Sequence, residues 1–488
     1  MRSKLDMGTC LAQVEATGHP GRQGPHAPHR AQLAARTTRP SLLWLAMALC
    51  LLLPLGASLA DGRLEPDPIF GGQIYVQEFG DPEKESLLLL HGLGDGAIED
   101  WLPLIERLQS RYYILTLDLP GFGRSDAGDG DYSPTRYAQL LRLLAKRHIG
   151  RPFHLAGHSM GAAIALRYAA NYPQDIKTLT LVDAAGILHR LAYTKYLAPL
   201  GLEQLAGREL PARSLFSELA GTLLDKAQQR LPVDPELLLE IPPLRRKMLG
   251  NKPAALAAYA LVKEDFSGVP QRIDAPTLII WGEHDRIAPV RTGQVLDAQI
   301  PRSELHIIAG AGHAPISQQP DLVLALMQPL LDGQSVPATD PQKPAVAQTQ
   351  HGRLTCDGRY GQTYTGHIEH LVLSRCTDAT IRDAQISGLE IVDSTVQIEN
   401  STILGQDIGI QAQGSTVQIT AGKVAGRVAI RTDGSRFDIA GTDLSGSEAA
   451  IEAVSDSSFI FSLVLIDSPY AADDVIHGFQ RLDAGQRL

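Results

Sequence analysis

One serine of this sequence lies in a setting that suits a nucleophile. Ser159 is the centre of a Gly-His-Ser-Met-Gly run at residues 157–161, between an apolar run at residues 153–156 and a helical pattern at residues 162–166. A sharp turn from strand to helix holds such a hydroxyl out at the end of the strand, and the flanking glycines let the backbones approach closely. We therefore predict that Ser159 attacks a carbonyl carbon, as in acyl transfer.

A serine hydroxyl needs a base to remove its proton, and the base needs a carboxylate to orient it. His313 is predicted as the base because it follows the apolar run at residues 304–308 in a loop of small residues. Asp285 is predicted as the acid because it follows the run at residues 277–281 and completes the chain order serine, aspartate, histidine. Asp183 also follows an apolar run and stays the alternative acid.

The negative charge of a tetrahedral intermediate needs two N–H donors. Met160, the residue after the nucleophile, is predicted to supply one of them. The second is assigned to Leu93, which lies in a His-Gly-Leu-Gly run at residues 91–94, directly after another apolar run. Acyl chemistry of this kind needs no cofactor, and no clustered histidines and cysteines at metal-ligand spacing suggest a metal site.

Short apolar runs that alternate with helical patterns must position these residues. The runs predicted as strands lie at residues 86–90, 112–117, 153–156, 178–182, 277–281 and 304–308. This alternation is typical of a parallel sheet in an α/β domain, here residues 61–333. It stops over residues 187–269, where leucine-, alanine- and arginine-rich stretches broken by prolines predict a helical lid.

Five motifs together resemble those of the α/β-hydrolase superfamily, in its serine-nucleophile branch of esterases and lipases. They are His91-Gly92-Leu93-Gly94, Asp118-Leu119-Pro120-Gly121-Phe122-Gly123-Arg124-Ser125, Gly157-His158-Ser159-Met160-Gly161, Gly282-Glu283-His284-Asp285 and Gly312-His313. The resemblance covers residues 70–333 and implies a mostly parallel eight-stranded sheet, a lid after the sixth strand and a covalent acyl-enzyme. The serine disfavours the reactions of haloalkane dehalogenases and epoxide hydrolases, whose nucleophile is an aspartate.

The N-terminal segment, residues 1–60, is interpreted as a signal or targeting segment. A basic stretch precedes an apolar run at residues 42–55, and small residues follow at Ser58 and Ala60. This order is typical of a secretory signal cleaved after Ala60, so we expect a periplasmic or secreted protein. Residues 42–60 approach the length of a membrane-spanning helix, and an uncleaved anchor in contact with the membrane is the alternative.

Beyond a linker rich in proline and glutamine at residues 334–350, the sequence becomes repetitive. Related hexapeptides begin at Asp393, Gly414, Gly434 and Asp456, at a nearly constant spacing of about 20 residues. Such a unit is too short to bury its own apolar face, whereas the stacked coils of a right-handed parallel β-helix share a core. We therefore predict a β-helix at residues 351–470, followed by a C-terminal tail at residues 471–488.

Two cysteines remain once residues 1–60 are removed. Cys356 and Cys376 are 20 residues apart, one coil of the predicted β-helix, which would place them on adjacent rungs. In an exported protein we expect a disulfide between them that stabilises the fold by about 3 kcal/mol. Two buried free thiols are the alternative.

Composition restricts what the protein can bind. The chain has 44% hydrophobic and 20% charged residues, as globular proteins do, and a formal net charge of −10 without a long basic run argues against a nucleic-acid partner. The combined prediction is an exported hydrolase of carboxylic esters that acts on a small-molecule or lipid ester.

Two alternatives to this prediction stay open. Hydrolysis of thioesters or of carbon–carbon bonds would use the same three side chains. In a different class of function, the β-helix would bind a glycan or a protein partner and the hydrolase domain would be auxiliary. Charged residues that could form such a face are Arg427, Arg431, Asp433, Arg436, Asp438 and Asp443, although solvated turn charges are the commoner explanation.

Overall fold

The computed structural model describes residues 62–94, 96–188, 252–334 and 350–488 of the protein. All of them belong to one compact unit, Leu59–Leu488. The segment interpreted as a signal or anchor, most of the predicted lid and most of the predicted linker lie outside the described residues. Within the described ranges, every helix is too short or too polar to span a membrane.

The first sheet has eight strands, as the resemblance to α/β-hydrolases implies. They are β1 (Arg63–Pro66), β2 (Gln73–Phe79), β3 (Ser86–Leu90), β4 (Tyr113–Asp118), β5 (Phe153–His158), β6 (Ile176–Val182), β7 (Thr277–Gly282) and β8 (Ser303–Ile308). Their order across the sheet is β1-β2-β4-β3-β5-β6-β7-β8. β2 pairs antiparallel with β1 and β4, and the strands from β4 to β8 pair in parallel. The six predicted strands are confirmed, with small shifts at their ends.

Seven α-helices accompany these strands in the described ranges. They are α1 (Leu102–Leu108), α2 (Pro134–His148), α3 (Met160–Asn171), α4 (Pro253–Lys263), α5 (Val290–Gln299), α6 (Pro315–Gln318) and α7 (Pro320–Leu331). Local sequence explains the bounds of α2, because the Ser133 side chain accepts the N–H of Arg136, Pro134 occupies the first position and the last turn is basic. α4 lies within the segment predicted as a lid.

Helices cover both faces of the first sheet, which explains why its strands are continuous apolar runs. Every residue of β3, β4, β5 and β7 is buried. Leu88 and Leu90 belong to a core shared with α2, α3 and α5, whereas Leu87 and Leu89 belong to a core shared with α1 and α7. The first sheet therefore lies between two layers of helices, which fix the position of the carboxyl ends of its strands.

A second sheet of 11 strands follows. Its strands are β9 (Gln350–Asp357), β10 (Thr363–Ser374), β11 (Ala379–Ile386), β12 (Leu389–Val392), β13 (Thr395–Leu404), β14 (Ile408–Gln413), β15 (Thr416–Asp433), β16 (Arg436–Ala440), β17 (Asp443–Ala453), β18 (Ser457–Ser468) and β19 (Ala471–Leu482). The strands from β9 to β18 pair in parallel. β19 pairs antiparallel with β18, so the segment interpreted as a C-terminal tail contains a strand.

The register of the second sheet follows the sequence repeat. Val396 pairs with Val417, Val417 with Phe437, and Phe437 with Phe459. All four side chains are buried, and the last two rings stack with their centroids 5.2 Å apart. Each sequence repeat thus adds a parallel strand to one continuous core.

Each repeat also contributes a buried serine, and these serines form what we call the serine ladder, namely Ser394, Ser415, Ser435 and Ser457. The hydroxyl of each later ladder serine accepts the backbone N–H of the ladder serine before it, at 3.1 to 3.3 Å. Each ladder hydroxyl also donates to the carbonyl two residues earlier. The ladder therefore satisfies polar groups that would otherwise be buried without partners.

The predicted disulfide between Cys356 and Cys376 is present, with its Cα atoms 6.5 Å apart. Cys356 lies in β9 opposite Leu373 of β10, so the bridge ties the first strand of the second sheet to the turn after the next strand. Both cysteines are buried.

Candidate active site

Ser159 links β5 directly to α3 and has a strained backbone. Its φ of 53° and ψ of −117° lie in a region that residues other than glycine rarely adopt. Its N–H donates to the carbonyl of Val182 at 2.9 Å, and its own carbonyl accepts from the N–H of Ala162. Neighbours on both sides therefore hold this turn in place.

Close backbone packing explains the two glycines around Ser159. A Cβ on Gly157 would overlap the backbone of Gly161. A Cβ on Gly161 would lie 2.5 Å from the carbonyl oxygens of Leu90 and His91. α3 can begin against the ends of β3 and β5 because neither position carries a side chain.

His313 reaches Ser159 from the loop between β8 and α6. Its Nε2 is 2.8 Å from Ser159 Oγ, and its Nδ1 is 2.7 Å from Asp285 Oδ2. A carboxylate can only accept a hydrogen bond, so Nδ1 carries the proton and Nε2 is left to accept from the hydroxyl. This is the tautomer that a general base for Ser159 requires.

Asp285 is buried in the loop after β7 and uses both carboxylate oxygens. Oδ1 accepts the N–H groups of Ile287 at 2.8 Å and Ala288 at 3.0 Å, while Oδ2 faces His313. The loop thus wraps around the carboxylate and aims one oxygen at the imidazole. The structure brings together the predicted nucleophile, base and acid.

Asp183, the alternative acid, lies at the end of β6 beside Asp285. Its side chain is buried, and its Oδ1 accepts the N–H of Gly282 at 2.9 Å. Burial raises the pKa of Asp183 well above its ordinary value, and repulsion from Asp285 raises this pKa further. Asp183 is therefore a neutral carboxylic acid near pH 7, and His313 Nδ1 donates its hydrogen bond to Asp285 instead.

These three side chains are also the group that could hold a metal ion in the part of the chain that the structure describes. One ligand atom each from Asp183, Asp285 and His313 lies within 4.8 Å of the others. Metal ligands must be deprotonated, whereas Asp183 is neutral and the Nδ1 of His313 is hydrogen-bonded to Asp285. A histidine whose Nδ1–H donates to a carboxylate suits general-base chemistry better than metal binding. The absence of a metal or cofactor requirement stays a prediction.

The two predicted oxyanion donors lie close to Ser159. Met160 is the first residue of α3, where N–H groups have no partner within the helix and the helix dipole favours negative charge. Leu93 follows Gly92, where an added Cβ would lie 3.0 Å from the Cβ of Ser159. Both residues therefore lie near Ser159, and their role as oxyanion donors stays a prediction.

His91 fixes the loop that carries Leu93. Its Nε2 accepts the N–H of Leu119 at 2.9 Å, and its Nδ1 is 2.7 Å from the carbonyl oxygen of Gly92, to which it donates. Burial lowers the pKa of His91, which keeps the ring neutral, so that one ring nitrogen can accept a hydrogen bond while the other donates one. The peptide between Gly92 and Leu93 is planar and trans, so its carbonyl and its N–H point in opposite directions. Because the carbonyl of Gly92 faces His91, the N–H of Leu93 points away from the His91 ring.

His158 and Asp100 also belong to the site, and the sequence assigned neither of them a role. His158 Nε2 donates to the carbonyl oxygen of His313 at 2.7 Å, and its Nδ1 lies 3.8 Å from Asp100 Oδ2. Burial opposes ionisation of Asp100, yet hydrogen bonding and the charge of His158 hold its pKa below the ordinary value. The only signal in the sequence was that His158 adjoins Ser159.

Comparisons with known proteins agree with the fold. The sequence matches the alpha/beta hydrolase family over residues 87–326. A monoacylglycerol lipase of Xenopus laevis is 31% identical over 260 residues, which cover 51% of this chain and 75% of that protein. Lipase 1 of Psychrobacter immobilis is 29% identical over 259 residues, which cover 51% of this chain and 78% of that protein. The chain therefore belongs to the α/β-hydrolase family.

Among solved structures, a membrane phospholipase A described as a bacterial virulence factor is 26% identical. The match has a TM-score of 0.42 and covers 60% of this chain and 96% of that chain. The match to the family ends at residue 326, so the second sheet lies outside it.

Proposed function

We propose that this protein is an exported serine hydrolase that cleaves carboxylic esters through a covalent acyl-enzyme. The observation that carries the proposal is the hydrogen-bonded chain from Ser159 Oγ through His313 to Asp285. Such a chain makes a hydroxyl nucleophilic because it gives the hydroxyl proton an acceptor. The relatives named as lipases support an ester as the substrate.

In the acylation step, Ser159 Oγ attacks the carbonyl carbon of the ester while His313 Nε2 takes the hydroxyl proton. Asp285 orients the imidazole and stabilises its protonated form. The N–H groups of Met160 and Leu93 hold the oxyanion. When the carbon–oxygen bond of the ester breaks, His313 protonates the departing oxygen, and an alcohol leaves while the acyl group stays on Ser159.

In the deacylation step, water attacks the acyl carbon and His313 takes its proton. The bond between the acyl carbon and Ser159 Oγ then breaks, and His313 returns the proton to that oxygen. A carboxylic acid leaves and the free enzyme is restored. Because His313 carries every proton, this sequence of steps uses neither a metal nor a cofactor.

The substrate class proposed is a small-molecule or lipid ester. A fluorophosphonate probe followed by peptide mapping tests the nucleophile, and a series of p-nitrophenyl esters of increasing acyl length tests the substrate class. We expect labelling at Ser159, turnover of at least one ester, and loss of both in Ser159→Ala. Turnover that is unchanged in Ser159→Ala would contradict the proposal.

Export to the periplasm or the medium is part of the proposal. The disulfide between Cys356 and Cys376 supports it, because disulfides persist in oxidising compartments. N-terminal sequencing after cell fractionation checks the location. A start at Asp61 supports cleavage, an uncleaved chain in the membrane fraction supports an anchor at residues 42–60, and a cytoplasmic chain contradicts export.

We also propose that the second sheet is a right-handed parallel β-helix. The parallel pairing from β9 to β18 and the direct pairing of Val396, Val417, Phe437 and Phe459 support one coil for each repeat. An experimental structure tests the handedness through the direction in which the chain advances from one coil to the next. A left-handed path would contradict the proposal.

A further inference from the structure

The helix that follows the predicted catalytic acid also contacts the second sheet. α5 begins at Val290, five residues after Asp285. Three residues of α5 that are spaced four apart contact the second sheet, and they are Arg291, Val295 and Gln299. Residues with this spacing share one face of a helix. One face of α5 therefore contacts the second sheet along the length of the helix.

Arg291 makes the most extensive of these contacts. Its side chain is 6% exposed, and its Nε donates to Thr420 Oγ1 at 2.7 Å. Its Nη2 donates to the carbonyl oxygens of Ile419 at 2.7 Å and Asp438 at 3.0 Å. Its Nη1 forms an ion pair with the carboxylate of Asp438 at 2.9 Å. The whole guanidinium fork is thus engaged by the second sheet.

Neither the position of Arg291 in its helix nor the position of Asp438 in its strand explains why the residue is charged. A cation in the first turn of a helix opposes the helix dipole. In the neighbouring coils, the residues paired with Asp438 are the uncharged Gln418 and Ile460. The sequence had offered Asp438 for an exposed glycan-binding face, and this was wrong because its side chain is buried against Arg291. The pair instead serves the contact between the two sheets.

The other two residues of the face pack closely. Val295 lies so near Gly441 that an added Cβ there would be 2.9 Å from its Cγ1. Gln299 Nε2 donates to the carbonyl oxygen of Leu463 at 2.6 Å. Ala440 and Leu463 of the second sheet are part of the same hydrophobic core as α5. The contact is therefore continuous with the core of the hydrolase domain.

The loop before α5 transmits the position of the helix to the active site. Only residues 283–289 separate β7 from α5. Within this loop, Asp285 accepts the N–H groups of Ile287 and Ala288, and the carbonyl of Ala288 accepts from Trp281 Nε1 at 2.9 Å. A shift of α5 would displace the backbone that holds the Asp285 carboxylate.

We propose that the second sheet is a positioning element of the active site: by holding α5 through Arg291, it keeps Asp285 within hydrogen-bond distance of His313. The inference rests on the proposed function. Arg291 touches no reacting atom and acts through Asp285, so it is a positioning residue. A misplacement of about 1 Å can slow catalysis about 100-fold, so we expect loss of this contact to lower kcat by roughly 10- to 100-fold with little change in KM.

The test compares Arg291→Met with Arg427→Met in the full chain. Arg427 is a matched control because its ion pairs with Asp407 and Glu448 are exposed and lie within the second sheet. The readouts are kcat, KM and the pH profile of kcat/KM with a p-nitrophenyl ester. A weaker contact with Asp285 disfavours the protonated imidazole, so the acid limb of the profile should move to lower pH in Arg291→Met alone. A general loss of stability would not move this limb.

Arg291→Met leaves the Asp438 carboxylate buried without its partner, and a variant that unfolds would report only on stability. Thr420→Val removes one hydrogen bond to Arg291 and keeps the shape of the side chain, so we expect a smaller fall in kcat and a smaller shift of the acid limb in the same direction. Unchanged kcat and an unchanged pH profile in the folded variants would overturn the inference.

Ser159→Ala keeps the two proposals apart. If Ser159→Ala retains turnover, the proposed function fails, and the inference fails with it. If Ser159→Ala is inactive while folded Arg291 and Thr420 variants behave like the wild type, the inference alone fails.

Discussion

Buried serine hydroxyls occur in both sheets of this protein, and their neighbours give them different roles. The Ser159 hydroxyl lies 2.8 Å from a histidine nitrogen that can take its proton. Each hydroxyl of the serine ladder instead gives its proton to a backbone carbonyl and accepts a backbone N–H. A hydroxyl becomes a nucleophile only when a base receives its proton, so the acceptor decides the role rather than the residue type.

The two sheets also differ in how they use their turns. The parallel strands of the first sheet end at one edge, where loops of unrelated sequence bring Ser159, Asp285 and His313 together. The turns of the second sheet recur once in every sequence repeat, so each repeat places a similar residue, such as a ladder serine, at the equivalent position. Repetition builds a core, whereas a catalytic site needs different groups at one place.

The largest expected effect comes from removing one serine of each kind. Ser159→Ala should lower kcat by about 10⁶-fold and leave thermal unfolding nearly unchanged, because only the nucleophile is lost. Ser415→Ala should instead leave kcat nearly unchanged and destabilise the fold. It leaves the buried N–H of Ser394 without its acceptor and should lower the free energy of unfolding by about 1–3 kcal/mol. Ester turnover and thermal melts of both variants check this.

Ser435→Ala serves as a second ladder variant, since its hydroxyl accepts the N–H of Ser415 in the same geometry. Loss of activity in a folded ladder variant, or retained activity in Ser159→Ala, would contradict the different roles assigned to the two kinds of serine. So would labelling of a ladder serine by the fluorophosphonate probe.

The three side chains that meet at the candidate active site could be predicted to lie together because each follows a local signal. The glycines around Ser159 mark a tight turn, and His313 and Asp285 each follow an apolar run that ends at the same edge of a parallel sheet. The register of the second sheet could be predicted for a similar reason, since a repeat that stacks on itself pairs equivalent residues such as Val396 and Val417.

Contacts between distant charged or polar residues could not be predicted. His158 contacts the backbone of His313 across 155 residues, and no periodicity or motif links the two. Arg291 meets Asp438 in the same way, and both residue types are usually solvated, so the sequence favoured exposure for Asp438. The pairing partner of β19 was also missed, because an antiparallel strand after a parallel series breaks the repeat from which the series was inferred.

Asp183 and Asp285, which follow neighbouring strands of the first sheet, are a second pair of identical side chains that we expect to differ in role. Asp285→Asn should lower kcat by about 10⁴-fold, because an amide cannot hold the required tautomer of His313. Asp183→Asn should have a far smaller effect, because a neutral amide replaces a carboxyl that is already neutral and can still accept the N–H of Gly282. Turnover of one ester at pH 7 by both variants checks this.

The raised pKa of Asp183 also predicts the pH dependence of stability. Between its unfolded pKa, about 3.9, and its higher folded pKa, the unfolded state releases a proton that the folded state keeps, so this residue destabilises the fold increasingly as pH rises. Asp183→Asn should therefore raise Tm at pH 7 and have less effect near pH 4. A lower Tm at pH 7 would contradict the raised pKa of Asp183. A loss of activity as large as that of Asp285→Asn would show that Asp183 shares the role of the acid.

The smallest expected effect compares one histidine from each sheet. Burial lowers the pKa of His91, which directly follows β3 of the first sheet, and of His477 in β19 of the second. Below about pH 6.5 the unfolded state gains a proton that the folded state resists, so stability present at neutral pH is lost on acidification, by at most about 1.4 kcal/mol per pH unit for each histidine. His91→Gln and His477→Gln should each flatten the fall of Tm between pH 7.5 and 5.5.

His284→Gln is the control for the substitution itself, because it makes the same change at an exposed position in the loop that carries Asp285. Equal flattening by His91→Gln and His477→Gln would mean that the sheets respond to acid alike, although only the His91 loop carries a predicted oxyanion donor. Flattening by His91→Gln alone would place the acid-sensitive step of unfolding in the first sheet. A wild-type slope in both would show that neither ring stays neutral in the folded protein, and a protonated His91 could not accept the N–H of Leu119.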